Sequence, residues 1–205
     1  MNEIICKERE KQILRAARNI FAQYGFAKTT MEDISAEVEM GKASLYYYFP
    51  TKESLFESVI SQERDEFMEK IGLTLAKENT ESQKLRTYVE ERIGFFKQLM
   101  NLGMLSNHSF LDKSSFQQKL SDEFSDKEMK VIENIIRNGI TTGEFQKDIN
   151  AEELSSVLIH LLQGLRLRVI RKALGKQMDN KLYRELRREM TITIDIFIKG
   201  IELKK

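Results

Sequence analysis

The chain has 205 residues, enough to bury a core without covalent staples. Lys+Arg number 33 against 32 Asp+Glu, a formal net charge of +1, so no global positive field announces nucleic acid or a membrane and any basic function has to be local. One cysteine (Cys6), two histidines, a charged start and the lack of an 18-residue apolar run predict no disulfide, metal, cofactor or membrane partner, and a cytoplasmic location.

One proline and ten glycines predict a mostly helical chain. Over 8–24, Ile13, Ala17, Ile20, Phe21 and Tyr24 recur at helical spacing opposite Arg15, Arg18 and Gln23. Gly25 can then enter the left-handed region, with Phe26 placed to fold back on Phe21 in a Schellman ending. Thr30 reads as an N-cap with Asp33 three positions on, and Met31, Ile34 and Val38 space the buried face of a short second helix. Glu39-Met40-Gly41 interrupts the pattern, and Lys42 to Phe49 resumes it with Leu45 and Phe49 inward. Pro50 disfavours a helical Phe49 and Thr51 can cap the next helix, so a boundary is expected there, with a head at 1–51 and a body at 52–205.

Two short helices across a tight turn make a helix-turn-helix, in which the first helix braces on phosphates and the second enters the major groove. Lys42, Ala43, Ser44, Tyr46 and Tyr47 lie outside the buried pair. Lys42 can meet a phosphate or a guanine edge, Ser44 either base class, and the tyrosines can donate to phosphates. Thr30 offers a backbone N–H and a hydroxyl at a helix start, and Lys52 offers a further cation. Packing accounts for Leu45 and Phe49, with Tyr48 open to either reading, but not for two consecutive outward tyrosines. Residues 1–52 hold eight Lys/Arg against seven Asp/Glu, so the head is almost neutral. Modest non-specific affinity is expected, with binding that needs a dimer on a palindromic site.

The next helix runs through Leu55, Val59, Phe67 and Ile71. Further stretches at 81–103, 115–142, 151–174 and 179–203, with an irregular piece at 106–112 and C-capping Gly143 and Gly175, make the body an all-α bundle and the whole chain about nine helices. Phe67, Phe95, Phe96, Leu99, Met100, Met104, Phe110, Met129, Ile132 and Ile136, with Leu161, read either as packed core or as the lining of a cavity of ~300 to 1,000 Å³ for an apolar or amphipathic effector. His108 and His160 read as ordinary polar residues. Leu154, Leu158, Leu161, Leu165 and Val169 form one apolar stripe; Leu182, Leu186, Met190, Ile194, Phe197 or Ile198, and Ile201 form another. Between Arg166 and Arg188 nine cations face two carboxylates, a local charge of +7 that leaves −6 elsewhere. Arg168 continues the first stripe and is either a snorkelling helix-end cation or a partner for an anionic effector head group.

Phe21-Ala22-Gln23-Tyr24-Gly25-Phe26, Thr29-Thr30-Met31-Glu32-Asp33-Ile34 and Lys42-Ala43-Ser44-Leu45-Tyr46-Tyr47-Tyr48-Phe49-Pro50-Thr51-Lys52-Glu53 together resemble the TetR (tetracycline-repressor) family over about the first sixty residues. Gly139-Ile140-Thr141-Thr142-Gly143-Glu144-Phe145 resembles a stretch that precedes the last two helices in that family. The resemblance implies a homodimer with a three-helix DNA-binding head and a small-molecule pocket in the body. It implies double-stranded DNA contacts from Thr29, Thr30, Gly41, Lys42, Ala43, Ser44, Tyr46, Tyr47 and Lys52. It also implies dimerisation through the last two helices, where the stripes offer Leu158, Leu165, Leu182, Leu186, Met190, Ile194 and Phe197. The chain departs from the family at Glu39, where a glycine is usual in the turn.

The expected function is a ligand-responsive repressor released from a palindromic operator. The alternative is a constitutive DNA-organising or protein-interaction module with the same head and no effector. No Ser/His/Asp, Cys/His, carboxylate-pair or Gly-rich phosphate constellation is visible in the sequence, so no catalytic residue is assigned and an enzyme is not expected.

Overall fold

The structure is a computed structural model that describes residues 2–102, 115–172 and 179–203, with side chains over 6–102, 122–172 and 179–203. Met104, His108, Phe110 and Gly175 lie outside the described residues. Eight helices run in chain order among those described: α1 (Asn2–Tyr24), α2 (Met31–Glu37), α3 (Lys42–Tyr48), α4 (Lys52–Leu75), α5 (Glu81–Asn101), α6 (Ser115–Thr142), α7 (Ala151–Lys172) and α8 (Asn180–Ile201). The all-α reading holds.

Local chemistry sets the ends of the head helices. The Gly25 N–H donates to the Phe21 carbonyl at 2.8 Å with Gly25 at φ +77°, the single-bond left-handed ending in place of the expected Schellman pair. Phe26 nevertheless stacks on Phe21 with ring centroids 5.8 Å apart. Thr30 and Asp33 close a capping box on α2, and Thr51 with Ser54 closes one on α4. The turn between α2 and α3 is itself a Schellman ending, in which Met40 N–H donates to Ser35 at 2.9 Å and Glu39 N–H to Ala36 at 3.1 Å. Glu39 occupies its left-handed position at φ +54°, so the turn keeps its shape and a side chain bears the strain that glycine would avoid.

Phe56 of α4 packs edge-on against Phe21 and also meets Phe26, so the first turns of α4 belong to the core of the head. Deeper in the body α5 packs against α4, α6 and α8, and α7 against α6 and α8. The resemblance stretch before α7 has a packing reason. Gly139 leaves room for the Phe145 ring, which a Cβ would meet at 2.1 Å, and Gly143 ends α6 at φ +77°. Glu144 accepts from the backbone N–H groups of Glu81 and Ser82, both at 2.8 Å, and so caps α5 from 62 residues away. Burial pushes the Glu144 carboxyl up, and the bonds from Ser82 and Glu81 more than reverse it, holding it below its ordinary value.

Candidate functional site

On α3 only Leu45 is buried, while Lys42, Ala43, Ser44, Tyr46 and Tyr47 are exposed, Tyr47 to 82%. A tyrosine that far out contributes nothing to the core, and its ring meets only Tyr48 edge-on at 5.5 Å among the described rings. Lys42 is ion-paired with Glu32 of α2, which draws the Glu32 carboxyl down and the Lys42 ammonium up from their ordinary values. The pair is exposed on both sides, so a phosphate can compete for the lysine. Beside it lies an open groove of about 470 Å³ lined by Arg9, Met40, Ala43, Ser44, Tyr47 and Tyr48. Arg9 and Met40 escaped the sequence reading. Arg9 joins the groove because α1 extends to Asn2, well before the apolar repeat begins.

Three expected DNA contacts read differently. Thr29 is buried and donates its hydroxyl to the Gly25 carbonyl at 2.9 Å. Thr30 gives its backbone N–H and its hydroxyl to the Asp33 carboxylate at 2.8 and 2.7 Å, so the capping box consumes both donors offered to a phosphate. Lys52 turns inward, donating to the carbonyls of Phe26 and Thr29 at 3.0 and 2.9 Å with its ammonium 4.4 Å from the Phe26 ring. It ties α4 to the loop before α2. Gly41 is exposed at the N-cap of α3, with no side chain to cap it.

The model for bacterial regulatory proteins of the tetR family matches residues 13–59. A transcriptional regulator from Cytophaga hutchinsonii, known from its crystal structure, is 37% identical, with a TM-score of 0.87 over 94% of this chain and 98% of that one. The chain belongs to the tetR family of bacterial regulatory proteins. It is a DNA-binding transcriptional regulator with a helix-turn-helix head and a helical body. The regulator YuxN of Bacillus subtilis is 37% identical over 65 residues, 32% of this chain and 22% of that protein's length. The FadR regulator of Bacillus subtilis, solved in complex with stearoyl-CoA, shares the fold at 17% identity, with a TM-score of 0.62 over 94% of this chain and 99% of that one.

In the body of this tetR-family protein, Phe67, Phe95, Phe96, Leu99, Met100, Ile132 and Ile136 are buried together and Met129 partly so. Phe67 stacks on Phe95 at 4.5 Å, and Phe124 closes the group at 6.2 and 5.9 Å. Leu161 and Arg168 do not join them. Leu161 is 47% exposed, and Arg168 is an exposed partner of Glu189. The inner face of α7 runs through Ser155, Leu158, Ile159, Leu162 and Val169, which turns Arg166 inward and Arg168 outward. Arg168 is therefore the wrong arginine for an interior anion.

The interior holds charge that the sequence reading did not assign. Arg92 forks onto Glu128, with Nε to Oε1 at 2.6 Å and Nη2 to Oε2 at 2.8 Å, and Tyr88 donates to the same carboxylate at 2.6 Å. Burial alone pulls the Arg92 guanidinium toward losing its proton, and the Glu128 carboxylate more than reverses it. Burial, then Glu128, pushes the Tyr88 phenol well up. A second buried carboxylate, Glu63 of α4, accepts from Arg18 of α1 on one oxygen and Gln98 of α5 on the other, joining head to body.

The expected dimer residues pack largely within the single chain. Leu158, Leu186, Met190 and Ile194 are buried within the single chain, and Leu165, Leu182 and Phe197 are partly buried against the same core. The strongest apolar stripes fill the chain's own bundle. The apolar side chains that α7 and α8 leave outside are Val157, Leu161 and Leu167, and Ile192 and Ile196. No helix among the described residues is long and apolar enough to cross a membrane.

Proposed function

We propose that the protein is a homodimeric repressor whose two heads hold a palindromic operator and release it when a small apolar or amphipathic ligand enters the body. The observation that carries this reading is the outer face of α3, where Lys42, Ser44, Tyr46 and Tyr47 stand together in solvent beside the groove that Arg9 lines. Ala43 and Gly41 keep that face low enough for close approach to base edges. Half-sites roughly 34 to 36 Å apart, or a multiple of that, would present successive major grooves to the two heads.

Function divides at 1–51 and 52–205, with the first turns of α4 as the joint. Ligand response runs through α4, because Glu63 ties it to Arg18 in the head and Gln98 in the body. A ligand that favours the released geometry must bind it more tightly than the DNA-bound one. The stearoyl-CoA complex of FadR supports a ligand-binding body on this fold. Dimerisation uses the outer face of α7 and α8, centred on Leu161, Ile192 and Ile196, since these apolar groups have no partner layer within the chain's core.

The test is DNA binding on operator fragments selected from a random pool. Tyr47→Ala is expected to weaken binding by about tenfold, and Lys42→Ala to weaken it while lowering the salt slope by about 1, with folding unchanged in both. Unchanged binding in both variants overturns the α3 assignment. Ile196→Glu should dissociate the dimer in sedimentation, and a stable Ile196→Glu dimer moves the interface elsewhere. Retention of DNA against every ligand in a broad screen favours the constitutive module.

A further inference from the structure

Arg64 of α4 and Arg166 of α7 flank the Arg92–Glu128 pair inside the bundle, and their charges act on that pair and on each other. Glu128 already accepts three bonds from Arg92 and Tyr88, and Glu63, another buried carboxylate, accepts from Arg18 and Gln98. The Nε atoms of Arg64 and Arg166 are enclosed, with no hydrogen-bond partner among the described residues. Each guanidinium also meets an aromatic ring. Arg64 lies 5.3 Å from the Phe124 centroid and Arg166 5.5 Å from that of Phe96. Both side chains are half-buried; Glu128 acts on both and Asp65 on Arg64, but neither enclosed Nε is met by an acceptor, an arrangement that an anion would complete.

We infer that Arg64 and Arg166 form the receiving site for the carboxylate or phosphate head of an amphipathic ligand whose apolar part lies along Phe67, Phe95 and Phe124. The inference rests on reading the body as the effector domain and specifies the charge of the effector. Guanidinium forks match carboxylate and phosphate oxygens in pairs, and each fork here lies within cation–π range of a ring. Phe124 links the two halves of the site, since one ring meets Arg64 and also closes the Phe67–Phe95 stack. Burial, then the like charge of Arg92, brings the Arg166 guanidinium down to about 10, so it stays cationic at neutral pH and an arriving anion relieves it. Arg64 follows Glu63 on α4, so a head group drawn onto Arg64 pulls on the helix that holds α1 through Arg18. The Arg92–Glu128 pair positions the site and keeps its own charges satisfied.

The experiment is calorimetric titration of the full-length protein with decanoate, decyl phosphate, methyl decanoate and decyltrimethylammonium, with melting of the ligand-free protein alongside. At least one of the two anions is expected to bind about tenfold or more tightly than the ester and the ammonium compound. Which anion wins separates carboxylate from phosphate ligands. Arg64→Gln and Arg166→Gln should each remove about tenfold of the anion's affinity, leave the ester unchanged and leave the ligand-free melting temperature equal or higher, because each removes a half-buried charge whose Nε has no partner among the described residues. Should a glutamine variant fail to fold, Arg166→Lys keeps the charge and loses the fork, and is expected to weaken the anion by a smaller factor. Equal affinity for anion and ester, tighter binding of the ammonium compound, no binding by any of the four, or undiminished anion binding in Arg166→Gln overturns the inference. Release of operator by the ester or the ammonium compound would leave the effector reading standing and remove only the anion.

Discussion

In the head, the candidate contact groups sit on one seven-residue helix and point outward, whereas in the body Arg64 and Arg166 come from two helices and meet rings of two more. Lys42, Ser44 and Tyr47 can be offered to DNA because nothing in the chain needs them, apart from the exposed ion pair with Glu32. Arg64 and Arg166 are half-buried but their Nε atoms are enclosed, and an unmet bond at an enclosed donor points to a ligand. Exposure marks the first site and enclosed donors without acceptors mark the second.

That contrast predicts effects of different size. Glu128→Gln should be the most damaging, because it leaves Arg92 beside two further cations with no counter-charge; a loss of about 3–5 kcal/mol is expected in denaturant unfolding. A loss below about 1 kcal/mol would mean that the interior arginines are solvated and that the contrast with the head fails. Gly139→Ala comes next, since its Cβ would sit 2.1 Å from the Phe145 ring. It should cost about 1–3 kcal/mol with operator affinity per folded molecule preserved, separating body packing from head chemistry. The smallest effect belongs to the head. Glu39→Gly relieves a side chain at φ +54°, and after the added freedom of the unfolded chain a gain of about 0.5 kcal/mol is expected in thermal unfolding. A measured loss would mean that the Glu39 side chain contributes something beyond the turn.

The head was legible in the sequence because its devices are local. Gly25, the Thr30–Asp33 box, the Pro50-Thr51 stop and the spacing of Leu45 and Phe49 act within a few residues of themselves. Helix positions in the body were legible for the same reason, as the ends of α5 to α8 show. Roles within the body were not. The stripe through Leu186, Met190 and Ile194 is amphipathic whether it covers the chain's own core or a second copy, and periodicity carries no address. Lys52 likewise had the charge for a phosphate, but two carbonyls 23 and 26 residues earlier in the chain took its ammonium.

By itself, then, the sequence determined an all-α chain, a helix-turn-helix bounded by its own caps, the family to which it belongs, and the outward face of α3. Tertiary structure alone decided which faces of α7 and α8 are inner, that Thr29, Thr30 and Lys52 hold bonds within the chain, and that Arg166 rather than Arg168 turns toward the Arg92–Glu128 pair. The physical reason is range: caps and helical periods act within one or two turns, while compensation of a buried charge depends on helices a hundred residues apart in the chain.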